Sequence, residues 1–245
     1  MESTSKANRM VIRYPGVLQL YSVGTPNGIK VHACLEELAF LKGESNFTYE
    51  PHTVDIRHGE SRTPEFAEIS PNQKIPVLVD PTGPGGHTDP VKVFESGAIL
   101  LYLAEKYDEL LPHEAAERVE VKKWLFWGSS AVSNQVKLFG FYYKYCPHSL
   151  PYCVERYTKE VKRLLAVLER QLQHQKHWIT GDMYTIADVS VWPWIFALHE
   201  NYDNAALEVF GDFKAYPLVK AWYSRCMQRQ ANKNALCVCD FVMET

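Results

Sequence analysis

The chain has 245 residues, 46% of them hydrophobic, and a formal net charge of -3 at pH 7. That length supports one large domain or two modest ones. Its slight acidity argues against a surface built for nucleic acid or anionic membrane, and no run of about 18 apolar residues is present to span a bilayer.

Residues 1–16, MESTSKANRMVIRYPG, scatter Lys6, Arg9 and Arg13 around an early Glu2 without an apolar stretch. They read as a disordered leader rather than a secretory signal, with a weak transit peptide left open. Strand and helix patterns then alternate. Residues 17–22 form an apolar strand, and residues 27–40 an amphipathic helix with Val31, Cys34, Leu35 and Leu38 inward. FTYEPHTVDI predicts a second strand, RTPEFAEIS a short helix, and NQKIPVLVD a third strand. PTGPGGHTDP is a turn cluster leading to a fourth strand. A helix follows from near Ser96 to Tyr107. The order β-α-β-α-β-β-α is a compact α/β unit over residues 17–107.

Residues 108–114 make a charged linker, and an all-helical region is predicted for 115–245. Helical patterns cover residues 114–144, 151–174, 185–201 and 216–229. The tail ANKNALCVCDFVMET shows no clear element.

Three junctions carry chemistry. In SVGTPNG, a strand ends and Thr25, Pro26, Asn27 and Gly28 open a helix with more cap and turn residues than one helix start requires. In NQKIPVLVD, Pro76 cannot sit inside a central ladder. A cis Ile75–Pro76 bond would present the Ile75 backbone to an extended peptide, whereas a trans bond would simply open the strand. In FESGAILLYL, Ser96 suits an N-cap and Glu95 precedes it. The pair reads either as a plain cap or as a holder for an amino-acid head group, carboxylate on the helix amides and ammonium on Glu95.

Taken in order, TPNG, SPNQKIPVLVD and FESGAILLYLAEKY resemble the glutathione-binding half of a cytosolic glutathione S-transferase, a thioredoxin-like domain. YTIADVSVWPW resembles the same family's helical-domain motif, with Thr185 and Asp188 as a capping box. TPNG, WLFW and PYCVERY resemble the nu class of bacterial disulfide-bond reductases and their fungal nitrogen-regulator relatives. The resemblance spans residues 17–229. It implies an N-terminal thioredoxin-like domain, a C-terminal helical bundle and a cytoplasmic homodimer that uses glutathione without a metal.

It also implies roles. Thr25, with Asn27 as second donor, would hydrogen-bond the glutathione sulfur, so that the nucleophile belongs to the bound tripeptide. Ile75 would pair with its cysteinyl backbone, Glu95 and Ser96 would hold its γ-glutamyl head, and Arg156 would reach it across a dimer. Thiol–disulfide exchange on a small disulfide is the expected reaction. Conjugation to an electrophile and a non-enzymatic regulatory role are the alternatives. Two departures stand out: Ser61 replaces the class glutamine before PEF, and NQVKLFGFYYK replaces a polar, His-containing stretch, which predicts a more aromatic cosubstrate pocket.

Other features read as structural. Cys34 falls on an apolar helix face as a core thiol, and Tyr21 ends its strand as a packing residue. Trp124 and Trp127 read as core or interface, His174 and His177 as solvated surface. Cys237 and Cys239 have no second ligand pair for a metal. With no C-x-x-C pair among the six cysteines, the chain fits a reducing compartment.

Overall fold

A computed structural model describes residues 12, 16–43, 45–84, 89–173 and 176–238. The first half is a four-stranded sheet ordered β2-β1-β3-β4. β1 (Leu18–Ser22) pairs parallel with β2 (Tyr49–Thr53) and antiparallel with β3 (Val77–Asp80), and β3 pairs antiparallel with β4 (Val91–Phe94). Helix α1 (Pro26–Lys42) crosses between β1 and β2, α2 (Pro64–Ala67) precedes β3, and α3 (Ser96–Tyr107) follows β4.

Period-two alternation splits the strands between two cores. Leu18, Leu20 and Leu78 face α1 and α3 in the larger one, while Tyr21, Val77 and Val79 meet Phe66 and Ile69 in the smaller. Tyr21 is buried and stacks on His52, and Cys34 is fully buried, as expected of packing residues.

The second half is helical: α4 (Ala115–Trp127), α5 (Ser133–Gly140), α6 (Pro151–Gln171), α7 (Ile186–Glu200), α8 (Ala205–Glu208), α9 (Pro217–Gln228) and α10 (Gln230–Val238). Thioredoxin-like sheet plus helical bundle is the predicted fold class. The helix expected over residues 114–144 is α4 and α5 with one π turn between them, Gly128–Val132, and a second, Phe141–Tyr145, after α5. The helix expected to reach residue 174 stops at Gln171, and His174 lies outside the described residues, as do Cys239 and nearly all of the leader.

The tail reading is corrected, because residues 230–238 form α10, packed on α1. Arg229, just before it, donates to both Glu37 carboxylate oxygens, 2.7 Å at the longer, with Glu37 only 1% exposed. The α7 helix is buried almost throughout, so its start must satisfy its own amides. Thr185 and Asp188 form the predicted capping box there, and Asp188 also accepts from the Ile179 amide and Trp222 Nε1. The larger core runs without a break from β1 and α1 through α7 and α9, which fixes the sheet's helical face against the bundle.

Candidate functional site

The site begins at the α1 start. Thr25 is extended (φ -98°) and its Oγ1 accepts the Gly28 amide at 3.2 Å, with Pro26 in the first turn. That capping bond engages the hydroxyl as acceptor and leaves its O–H for another partner. Gly28 is required by close approach, since a Cβ there would collide with the Val23 carbonyl and sit 2.5 Å from Ser22 Oγ. The strand-to-helix turn is therefore tight, and it aims the first α1 residues at the seam between the two halves.

A cleft of about 240 Å³ opens at that seam. From the sheet half it is lined by Asn27, Asn72, Ile75, Glu95 and Ser96, among others. The Ile75–Pro76 bond is cis, and the Ile75 amide and carbonyl make no hydrogen bond among the described residues. A paired backbone donor and acceptor stands ready for an extended peptide.

Glu95 has φ 70° and ψ 116°, a conformation that costs a non-glycine residue on the order of 1–3 kcal/mol. Its carboxylate accepts from Asn72 Nδ2 at 3.3 Å. The predicted cap is corrected here: the positive φ at Glu95 makes it the cap position, and Ser96 is the first residue of α3. Ser96 does not cap. It donates to Asn27 Oδ1 at 3.4 Å, tying the α3 start to the α1 start. The first amides of α3, which have no intrahelical acceptor, flank the cleft beside Glu95. Acidic group and helix N-terminus thus stand side by side, the complement of an ammonium and a carboxylate on one carbon.

The bundle contributes a wall that the sequence did not reveal: Ser129, Ser133, Asn134 and Lys137. The π turn Gly128–Val132 precedes α5 and brings Ser129 against the α3 start, where a Cβ on Gly97 would lie 2.6 Å from Ser129 Oγ. Behind this wall lies Lys30, 0% exposed, its Nζ donating to Ser133 Oγ at 2.7 Å and lying 5.7 Å from the Trp194 ring centre. Burial pushes its amine down to about 7, partly opposed by the Glu95 carboxylate. A lysine inside an apolar helix pattern gave no sequence signal, because charged residues are read as solvated.

The aromatic run expected to line the pocket lies outside this cleft. Phe139 is buried in the core against Phe210, Tyr142 stacks on Tyr157, and Tyr143 reaches Glu208, so none of them lines the cleft. The interrupted helix buries Phe139 in the bundle and presents Asn134 and Lys137 to the cleft. Ser61 is buried in a turn near α2 and does not line the cleft either.

Of the predicted site residues, then, Asn27, Ile75, Glu95 and Ser96 converge, with Thr25 adjacent as the cap of the same helix. Arg156 is elsewhere: it lines a separate groove of about 650 Å³ on α6 with Tyr152, Glu160 and Arg163. No cysteine lines the cleft. Burial drives the Cys34 and Cys226 thiols far up from their ordinary value, which keeps both protonated and unreactive. Among the described residues no cluster of metal-ligating side chains occurs.

Family models for the glutathione S-transferase N-terminal domain and C-terminal domain match residues 16–105 and 151–225. The chain is 44% identical to the disulfide-bond oxidoreductase YghU of Escherichia coli, over 88% of this chain and 73% of that one. It is 38% identical to the disulfide-bond oxidoreductase YfcG of the same organism, over 90% and 94%. Among solved structures, a glutathione transferase from Pseudomonas putida with one glutathione disulfide bound per subunit superposes with a TM-score of 0.83. The two share 36% identity over 92% of this chain and 93% of that one.

Proposed function

Because the chain belongs to the glutathione S-transferase family, we propose that it is a glutathione-dependent disulfide reductase. One observation carries the reading: a cleft lined by Glu95, Ser96 and Ile75, polar on its far wall, has no cysteine among its lining residues. In this reading the sulfur arrives with the bound tripeptide. Glutathione fits the residues present, with its α-amino group on Glu95, its α-carboxylate on the α3 amides and its cysteinyl backbone on Ile75.

That placement brings its sulfur to the α1 start. There Thr25 Oγ1 keeps a proton to donate, Asn27 adds an amide, and the helix N-terminus favours negative charge. A hydrogen bond to a charged group is worth roughly 1.5–3 kcal/mol. At 1.36 kcal/mol per unit, that lowers a thiol pKa of about 8.5 by about one to two units. The thiolate attacks one sulfur of a disulfide, forming a mixed disulfide and releasing the other half as thiolate. A second glutathione thiolate then attacks the mixed disulfide, giving glutathione disulfide and the second thiolate.

The polar wall of Ser129, Ser133, Asn134 and Lys137 favours this over conjugation to an apolar electrophile. Purified protein assayed with glutathione should reduce hydroxyethyl disulfide well and conjugate a chlorinated nitrobenzene poorly. The reverse preference would refute the reading.

We further propose that the protein works as a cytoplasmic homodimer in which Arg156 reaches the partner's glutathione. Supporting this, Phe94, Phe126 and Tyr152 are exposed on β4, α4 and α6, with Arg156 one turn beyond Tyr152. Light scattering that finds a fully active monomer would exclude the cross-subunit role.

A further inference from the structure

We propose that Lys30 is a positioning residue for the thiolate, a buried cation set behind Asn27 and Ser133 that holds negative charge at the α1 start. The inference rests on the glutathione reading above. Asn27 and Lys30 are three residues apart on α1, hence on one face, and helical side chains tilt toward the N-terminus. The Lys30 stem therefore runs back along the helix toward Asn27. Its Nζ ends 2.7 Å from Ser133 Oγ, and both Asn27 and Ser133 line the cleft.

The ammonium is thus one side chain behind the cleft wall, out of water. There a charge acts more strongly than it would at the surface. Its own bonding is incomplete: it has three donors, yet among the described residues it makes one hydrogen bond and one contact with the Trp194 ring. Ser129 Oγ, on the same wall, is buried with no partner among the described residues. Both groups leave donors for an anion that the protein does not itself supply.

The surroundings set the direction of response. From the α3 cap comes the Glu95 carboxylate, from α5 the neutral Ser133, and from α7 the Trp194 ring; Lys74 and Lys137 also line the cleft. Burial has lowered the amine to about 7, so near neutrality it is poised between forms. A thiolate arriving nearby pulls it to the charged form, and by linkage the ammonium lowers the thiol pKa by the same amount. The thiol gives up its proton and the partly protonated amine takes up only the fraction it lacks, so binding near pH 7 releases less acid than ionisation of the thiol alone would.

The test has two arms. In Lys30→Met, ultraviolet titration of the bound thiolate should show its pKa raised by about one unit. Affinity for S-methylglutathione, which cannot ionise at sulfur, should stay within about twofold. In the unaltered protein carrying isotope-labelled lysine, nuclear magnetic resonance should show the Lys30 amine titrating about one unit higher with glutathione bound, and not with S-methylglutathione. An unchanged thiol pKa in Lys30→Met, or equal lysine shifts with both ligands, would overturn the inference while leaving the glutathione reading intact. A bound thiol that titrates at its free value in the unaltered protein would overturn both. Should Lys30→Met fail to fold, the lysine titration decides alone.

Discussion

Replacing Glu95 with glycine should make the protein more stable and worse at its task. Glu95 sits at φ 70°, ψ 116° between β4 and α3, where a side chain costs about 1–3 kcal/mol. Glycine removes that cost but adds roughly 0.5–1 kcal/mol of backbone entropy to the unfolded chain. The side chain's one hydrogen bond, from Asn72 at 3.3 Å, is exposed and adds little. A net gain of about 1 kcal/mol is expected, a rise of about 2–4 °C in Tm for a chain of this size. Glutathione binding should move the other way. Loss of a charge-assisted contact worth roughly 1.5–3 kcal/mol weakens it about ten- to hundredfold. Glu95→Gln, which keeps the side chain and drops the charge, should lose the affinity without gaining the stability. Thermal unfolding and calorimetry on the three proteins measure both quantities. Unchanged affinity in Glu95→Gly would remove Glu95 from the γ-glutamyl site, and a fall in Tm would refute the claim that its backbone is strained.

Thr25→Ala should cost about 1 kcal/mol of stability through the lost cap and raise the bound thiol pKa by about one to two units, whereas Cys34→Ala should leave turnover unchanged. The opposite pattern in a pH–rate profile would place the nucleophile on the protein. Gly28→Ala should destabilise by about 2 kcal/mol or more, since its Cβ has no room beside Val23 and Ser22; denaturant unfolding checks this. Burial raises the Asp188 carboxyl to about 6 despite its four hydrogen-bond donors. Folded Asp188 then holds its proton more tightly than the unfolded value of about 3.9, so its contribution is fullest below about pH 4, falls as pH rises through 6, and is level above. The corresponding slope in unfolding free energy should vanish in Asp188→Asn, a variant that is itself less stable because an amide donor must face donors.

What the sequence made legible was whatever depends on neighbours in the chain. The β-α-β-α-β-β-α order, the Thr25 cap and the Thr185–Asp188 capping box all arise from local spacing. Glu95 and Ser96 were legible as a pair, but their division of labour was not, because it turns on a single backbone angle. Lys30 and the Ser129–Ser133 wall were hidden for a different reason. Their meaning comes from a seam between segments about a hundred residues apart (Lys30 and Ser133 are separated by 103), and π turns have no sequence signature of their own. The α10 helix escaped notice because its buried positions include Asn232, which bonds the Tyr184 hydroxyl and the Cys226 carbonyl, so the apolar period is broken by a residue that is nonetheless inside.

The α10 helix also bears on how the molecule is made. Glu37 and Arg229, whose ion pair fastens α1 to the segment entering α10, are separated by 192 positions. During synthesis α1 is made well before Arg229, so its buried carboxylate waits for a partner 192 positions further along the chain. Until then an unpaired acid and the apolar side of α1 remain uncovered, a surface suited to chaperones rather than to glutathione. Contacts this remote in sequence are slow to form, and partly covered chains of this length tend to associate. Ribosome-bound chains ending before Arg229 should therefore lack a working cleft although every cleft residue has already been translated.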